Sequence, residues 1–295
     1  MAGKIQIPEE LKHDLPQSKW SKVLLSTPIV MTVIATMLAG LASSEMTKAQ
    51  YSRSFGAQLQ SKAGDQWGYF QAKKLRATIL RNSLDILLAT SDVRPLTAEA
   101  LPGQDAATIA ALTKTELPAI GQVKLDESVT VALAAVESAK PESEVAAALG
   151  EVKDVTLTGA LAAAKDAAAA FDNATRSVNR AVDKLNESLI HGEQRAFRDF
   201  TAARLRYASA RYDSESRLNA TVGSIYELQV LKSNLTAEKH RQRSGKFFFG
   251  MLAAQLAVIV STFAIAARKK SLLWSLAAAA GAAAVSFSIY VYLRV

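Results

Sequence analysis

The side chains with the most chemistry to offer sit in one run, AGDQWGYFQAKKLR, from Ala63 to Arg76. Within it Asp65, Gln66, Trp67, Tyr69, Phe70, Gln71, Lys73, Lys74 and Arg76 combine a carboxylate, two amides, three rings and three cations. On a helix, Trp67, Phe70 and Lys74 share a face, because residues three and four apart are neighbours. Further along the chain Asp213 and Glu215 offer the opposite charge. Such a set could form a buried polar network that fixes the register of two helices or binds an anionic ligand. The plainer reading is a knob-and-hole layer flanked by salt bridges, each contributing about 0–1 kcal/mol at a surface. The residue types favour that packing role.

Catalysis has little to stand on. The histidines are His13, His191 and His240, widely separated, and there is no cysteine. Disulfides, thiolate metal sites and cysteine nucleophiles are therefore excluded. No Ser–His–Asp arrangement, metal-ligand spacing or phosphate-cradling glycine loop occurs. No enzymatic activity, cofactor or metal is expected. A second cluster, Lys239, Arg241, Arg243 and Lys246, runs straight into an apolar stretch, and Arg268, Lys269 and Lys270 follow it. These suit anionic lipid headgroups, at about 1 kcal/mol per basic residue near such a surface. They serve equally as routine membrane flanks. A pI of 9.6 also raises nucleic-acid binding. That partner is not expected, because the cations cluster beside apolar stretches and do not interleave with aromatics.

The elements that must carry these residues begin with three stretches free of Asp, Glu, Lys and Arg: 23–44, 247–267 and 271–293. Each exceeds the roughly 20 apolar residues that a bilayer core requires of a helix. The first reads as a retained signal-anchor helix rather than a cleaved signal. The other two, parted by Arg268–Lys270, read as a tight hairpin. Small faces for close helix contact are Thr36, Gly40 and Ser44 in the first, Ala253, Ala257 and Ser261 in the second, and Gly281 in the third. Lys and Arg counts on the two sides nearly tie. The all-basic turn, with Trp20 and Trp274 beside that side's basic residues, favours a cytoplasmic N-terminus and an outside domain.

Between the first two spans the expected order is an outgoing stalk helix (45–94), an acidic helical cap (95–157) and return helices (158–246), after an N-terminal tail (1–22). No proline occurs from Ile29 to Asp92, and none after Pro141. Prolines 95, 102, 118 and 141 cut the cap into short pieces. The outgoing rod beyond the membrane would run about 75 Å at 1.5 Å per residue. A break at His191-Gly192-Glu193 leaves a return helix of similar length, which puts Trp67 opposite Ala220 and Lys74 opposite Asp213. Ala63, Trp67, Phe70, Ala77, Leu84 and Leu88 form one heptad track with Lys74 and Arg81, facing a return track of Phe197, Phe200, Tyr207, Leu218, Ile225, Leu228 and Leu235 on which the cations Arg204, Arg211 and Lys232 also fall. A second stripe, Leu75, Ile79 and Ile86, predicts a helix buried on two sides, with a bundle or an oligomer supplying the second partner. The cap, 96–160, carries a net charge of −6 and no aromatic residue. With so little apolar area per helix, it is expected to lean on a neighbouring subunit. The fold class is an all-α membrane protein: three transmembrane helices, a coiled-coil-like antiparallel stalk and a small helical cap.

The run from Asp65 to Arg76 resembles the DQW-x-YYQAK-x-x-R signature of bacterial membrane proteins in the domain-of-unknown-function family numbered 4337. The resemblance is close over about 14 residues and loose elsewhere, with Phe70 where tyrosine is usual and the acidic cap as an insertion. It implies a polytopic helical protein of the bacterial inner or intracytoplasmic membrane, with no activity attached.

The expected function is a non-enzymatic membrane-anchored scaffold that forms a homo-oligomer through its stalk and cap, with membrane lipids as partners and another membrane protein complex as a further candidate partner. The alternatives are an accessory subunit of a transporter or membrane enzyme, or a sensor-like receptor without its own output domain.

Overall fold

The computed structural model describes residues 19–119, 123–190, 192–266 and 272–294. Every regular element among them is helical: α1 (Lys19–Thr90), one 3-10 turn (Ala98–Ala100), α2 (Ala106–Lys114), α3 (Glu127–Glu137), α4 (Glu142–Glu151), α5 (Asp154–Leu189), α6 (Gln194–Ala266) and α7 (Leu272–Arg294). The helix boundaries follow local chemistry. Asp105 and Asp126 cap α2 and α3 by accepting from the backbone N–H of Thr108 and Ser128, satisfying donors that a helix start leaves orphaned. Thr115, at φ 59°, ends α2 in the left-handed conformation. The Val129–Val136 stretch, whose alternation also suits a strand, is helical, in keeping with its alanines. Gly192 N–H donates to Leu189 C=O in the turn between α5 and α6.

Two of these helices are long and apolar enough to cross a membrane, with apolar windows inside Ser26–Thr90 and Gln194–Ile265. The described apolar stretch of α7, Ser275–Val291, is shorter. The chain divides into two compact units: one built from residues up to Arg53 and from Asn234 onward, the other from Ser54–Ser233.

In the Ser54–Ser233 unit, α1 and α6 run antiparallel. Arg195 meets Asp92 at 3.6 Å, Lys74 meets Asp213 at 2.6 Å, and Trp67 reaches Glu227. Helix α5 lies against α6, with Tyr207 Oη donating to Asn179 and Lys165 Nζ donating to Tyr226 Oη. The main core joins α2, α5 and α6 through Leu101, Leu112, Val178, Phe200 and Tyr207. The cap helices also bury Val129, Ala132 and Leu149. α3 packs on both α4 and α5 of the same chain.

One expectation is corrected here. The inward stripe of α1 is Ala63, Phe70, Ala77 and Leu84 flanked by Lys73 and Leu80, while Arg81 and Leu88 are exposed and Lys74 is half exposed. Helix α6 accepts the Lys73 side of the stripe, where Glu215 can receive an ammonium. The second stripe is not buried: Leu75, Ile79 and Ile86 are 60%, 53% and 65% exposed. The contacts of α1 with the rest of the unit engage its opposite face, so the chain covers this helix on one side only.

In the other unit, α1, α6 and α7 meet along small residues at spacings of three and four. Ala35, Leu38 and Ala42 face Phe247, Ala254 and Ala257 of α6 and Ala277, Ala284 and Val291 of α7, all buried. Such seams let backbones approach closely. A Cβ built on Gly250 would lie 3.1 Å from Ser288 Oγ and 3.4 Å from the Leu38 side chain. Ala257, Ser261 and Gly281 lie inside, whereas Thr36, Gly40 and Ser44 face outward. The interior of α1 is offset by one position from that expected face, because Leu38 fills the space beside Phe247 that smaller residues would leave empty.

Candidate functional site

The polar layer of the Ser54–Ser233 unit is assembled by α1 and α6. Trp67 donates its indole N–H to Glu227 Oε1 at 2.7 Å and stands edge-on to Phe70, centroids 5.4 Å apart. Its ring lies over Gly223, where an added Cβ would come within 3.2 Å of it. The Trp67 ring therefore meets Gly223 and Glu227 rather than Ala220, since a long helical side chain reaches along its helix as well as across. One turn on, Lys73 donates to Glu215, whose side chain is only 8% exposed. Arg211 Nη1 lies 3.3 Å from the other oxygen of that carboxylate, an ion pair not aligned as a hydrogen bond. The ring of Tyr212 collects three cations, Arg211 at 4.3 Å, Lys73 at 5.2 Å and Arg76 at 5.8 Å. Arg76 thus stacks on a ring, whereas the expected partners were the carboxylates of Asp213 and Glu215.

Lys74 and Arg217 both donate to Asp213, at 2.6 and 2.7 Å. The Lys74 hydrogen bond is the main cause that holds the Asp213 carboxyl below its usual range; burial opposes it, and the Lys74 and Arg217 charges add to it. A carboxylate lowered in the folded state binds fewer protons than in the unfolded chain. Its contribution to stability is present above the unfolded value and is lost as pH falls through the folded one. Asp213→Asn is therefore expected to flatten the loss of stability between about pH 5 and pH 2, read from thermal melts of both chains across that window. An unchanged acid limb would remove Asp213 from the account.

Asp65 and Gln71 are exposed and make no side-chain hydrogen bond among the described residues, and Tyr69 is 57% exposed. Gln66, Tyr69, Lys73 and Glu215 border a cleft of about 340 Å³ that α5 closes with Ala168 and Asp172. Sequence reasoning missed Glu227, Arg211 and Tyr212 as members of the layer. Arg211 already stood out as a cation on an otherwise apolar track; nothing in the order of residues tied Glu227 to an indole.

In the other unit the basic run is partly neutralised from within. Arg241 makes two 2.8 Å bonds to Glu238, and Arg53 stands 3.9 Å from the same carboxylate. The Arg241 bonds foremost hold Glu238 down at about 2, against the opposing effect of desolvation. Lys239, Arg243 and Lys246 form no ion pair among the described residues. Arg268, Lys269 and Lys270 lie outside the described residues. Glu45, unremarked in sequence, is 8% exposed and sits 2.6 Å from His240 Nδ1 and 2.7 Å from Lys48 Nζ. Burial pushes its carboxyl up, but the bonds to Lys48 and His240 and their charges outweigh burial and leave it lowered. One turn away, Ser244 Oγ donates to Ala42 C=O at 2.7 Å. No group of three or more potential metal ligands occurs among the described residues.

The motif-bearing stretch matches a known family model. It is the domain of unknown function DUF4337, matched over residues 20–121. The DUF4337 match spans nearly all of α1 and the whole of α2, and it stops before α3. Thus the motif's half of the polar layer lies within the matched stretch, while Asp213, Glu215 and Glu227 lie beyond it. No curated protein and no solved structure matches the chain.

Proposed function

We propose that this chain is a non-enzymatic, membrane-anchored helical scaffold that self-assembles to organise a membrane or a membrane complex. Three spans (23–44, 247–267 and 271–293) anchor it in a bacterial inner or intracytoplasmic membrane, with the N-terminus and the basic turn in the cytoplasm. The antiparallel α1–α6 stalk and the acidic cap stand outside, and basic flanks meet lipid headgroups.

The observation that carries this reading is the outward face of α1. Gly68, Ala72, Leu75, Ile79, Asn82 and Ile86 follow one another at spacings of four and three, and all six are exposed. In heptad terms Ala72, Ile79 and Ile86 take one core position and Gly68, Leu75 and Asn82 the other. Around Leu75 and Ile79 the pairing of a β-branched residue with leucine favours parallel two-stranded association. The face that contacts the rest of the chain is the opposite one, so pairing would cover α1 on both sides without disturbing its own chain. Two copies anchored in one membrane also start out parallel.

Native mass measurement of the full chain in mild detergent tests this. The expected result is a discrete homo-oligomer that falls to monomer in Leu75→Glu/Ile79→Glu, with helical content unchanged. A monomeric parent chain would overturn self-assembly, and unlike subunits that co-purify in fixed ratio would favour an accessory role.

A further inference from the structure

A second cleft in the Ser54–Ser233 unit, of about 400 Å³, lies between α1, α5 and α6. Its walls carry opposite charges that do not meet. Arg204 and Asp183 both line it, yet neither forms an ion pair within 4 Å among the described residues. Arg211, which also lines it, is turned onto Glu215 and Tyr212, and its Nε is buried without a hydrogen-bond partner. Buried polar groups in proteins are normally satisfied, so this guanidinium is held with one donor unpaired beside the cleft. Asn179 accepts from Tyr207 Oη through its carbonyl oxygen, and its amide N–H groups have no hydrogen-bond partner among the described residues. Leu80, Val182 and Leu205 supply apolar wall.

Packing alone does not account for this arrangement. Arg204 and Arg211 occupy positions on the apolar track of α6, where leucine or alanine would fill space better. A simple anion would gain from the arginines but be opposed by Asp183. A simple cation would face two guanidiniums. A ligand carrying both charges gains at both ends, since charge-assisted hydrogen bonds to guanidinium and carboxylate are the strong ones. We infer that this cleft binds a small zwitterion of the α-amino-acid class, with Arg204 on the carboxylate and the Arg211 charge beside it, Asp183 on the ammonium, and an aliphatic side chain against Leu80 and Leu205. The cleft sets charged groups of both signs beside an apolar wall, so one ligand can engage both. The inference is independent of self-assembly, because every wall residue comes from one chain.

Calorimetric titration of the full chain in detergent micelles tests it, with L-leucine as the probe. Two half-molecules serve beside it: 4-methylpentanoate, which lacks the amine, and 3-methylbutylamine, which lacks the carboxylate. Saturable binding of leucine at one per chain is expected, with both half-molecules weaker by roughly tenfold or more. Arg204→Gln and Asp183→Asn are each expected to weaken leucine by a similar factor. Asp183→Asn should leave 4-methylpentanoate unweakened, a separation that a merely structural role for Asp183 would not produce. Asp183 is exposed, so its variant keeps the test intact even if Arg204→Gln folds poorly. The proposal is overturned by no saturable heat up to about 10 mM leucine, a concentration bracketing weak small-ligand sites. It is equally overturned by leucine affinity unchanged in Asp183→Asn, or by 4-methylpentanoate binding as tightly as leucine.

Discussion

Glu215→Ala is expected to destabilise the Ser54–Ser233 unit by about 3 kcal/mol, because it strips two cations of one buried carboxylate. Glu215 is 7% exposed, and its partners Lys73 and Arg211 are themselves 30% and 16% exposed at their side chains. Neither cation has a second carboxylate within 4 Å among the described residues. The cost therefore comes mostly from the charges left behind rather than from the pair's own net attraction. That distinction makes the prediction sharp. A triple replacement, Glu215→Leu with Lys73→Met and Arg211→Met, removes all three charges at similar volume and is expected to recover most of the loss. Urea unfolding monitored by near-ultraviolet circular dichroism, with hydrogen exchange across 205–225, reads both variants. If the triple variant were no more stable than Glu215→Ala, the network would be worth its net attraction after all.

Phe200→Ala is expected to cost about 3–5 kcal/mol, the range for deleting a buried aromatic side chain and leaving a cavity. Phe200 is fully buried, and its cluster includes Leu101 and Leu112 from the cap and Val178 and Val182 from α5. No other aromatic side chain is near enough in sequence to refill the cap side, which has none between Phe70 and Phe171. Loss of protection should therefore appear first in residues 98–117. Hydrogen exchange uniform across the unit would show instead that Phe200 stabilises everything equally.

Much of this organisation was legible in the order of residues. Most helix boundaries follow from proline and capping residues, because a ring without an N–H disfavours a helix interior, although α1 continues through Pro28. Both long helices run through proline-poor sequence, and the short cap helices begin at Asp105, Asp126 and Pro141, each a capping or punctuating residue. The charge-free stretches were legible for the same reason: composition alone decides whether a helix can sit in hydrocarbon. Half of the polar layer could also be read, since matched helix lengths bring Lys74 to Asp213.

The tertiary structure decided the rest. Periodicity marks α1 as apolar on two faces, but it cannot say which face the chain itself will cover. The structure turns Ala77 and Leu84 inward and leaves Leu75, Ile79 and Ile86 out. A one-residue rotation likewise separates Lys73, drawn in by Glu215, from Lys74 at the rim. Arg204, Arg211 and Asp183 lie on two different helices, and only packing brings them to one cleft. The sequence alone determined which segments are helical and which are apolar, because those depend on near neighbours. Which side chains meet depends on helix rotation and axial offset, and contacts distant in sequence set both.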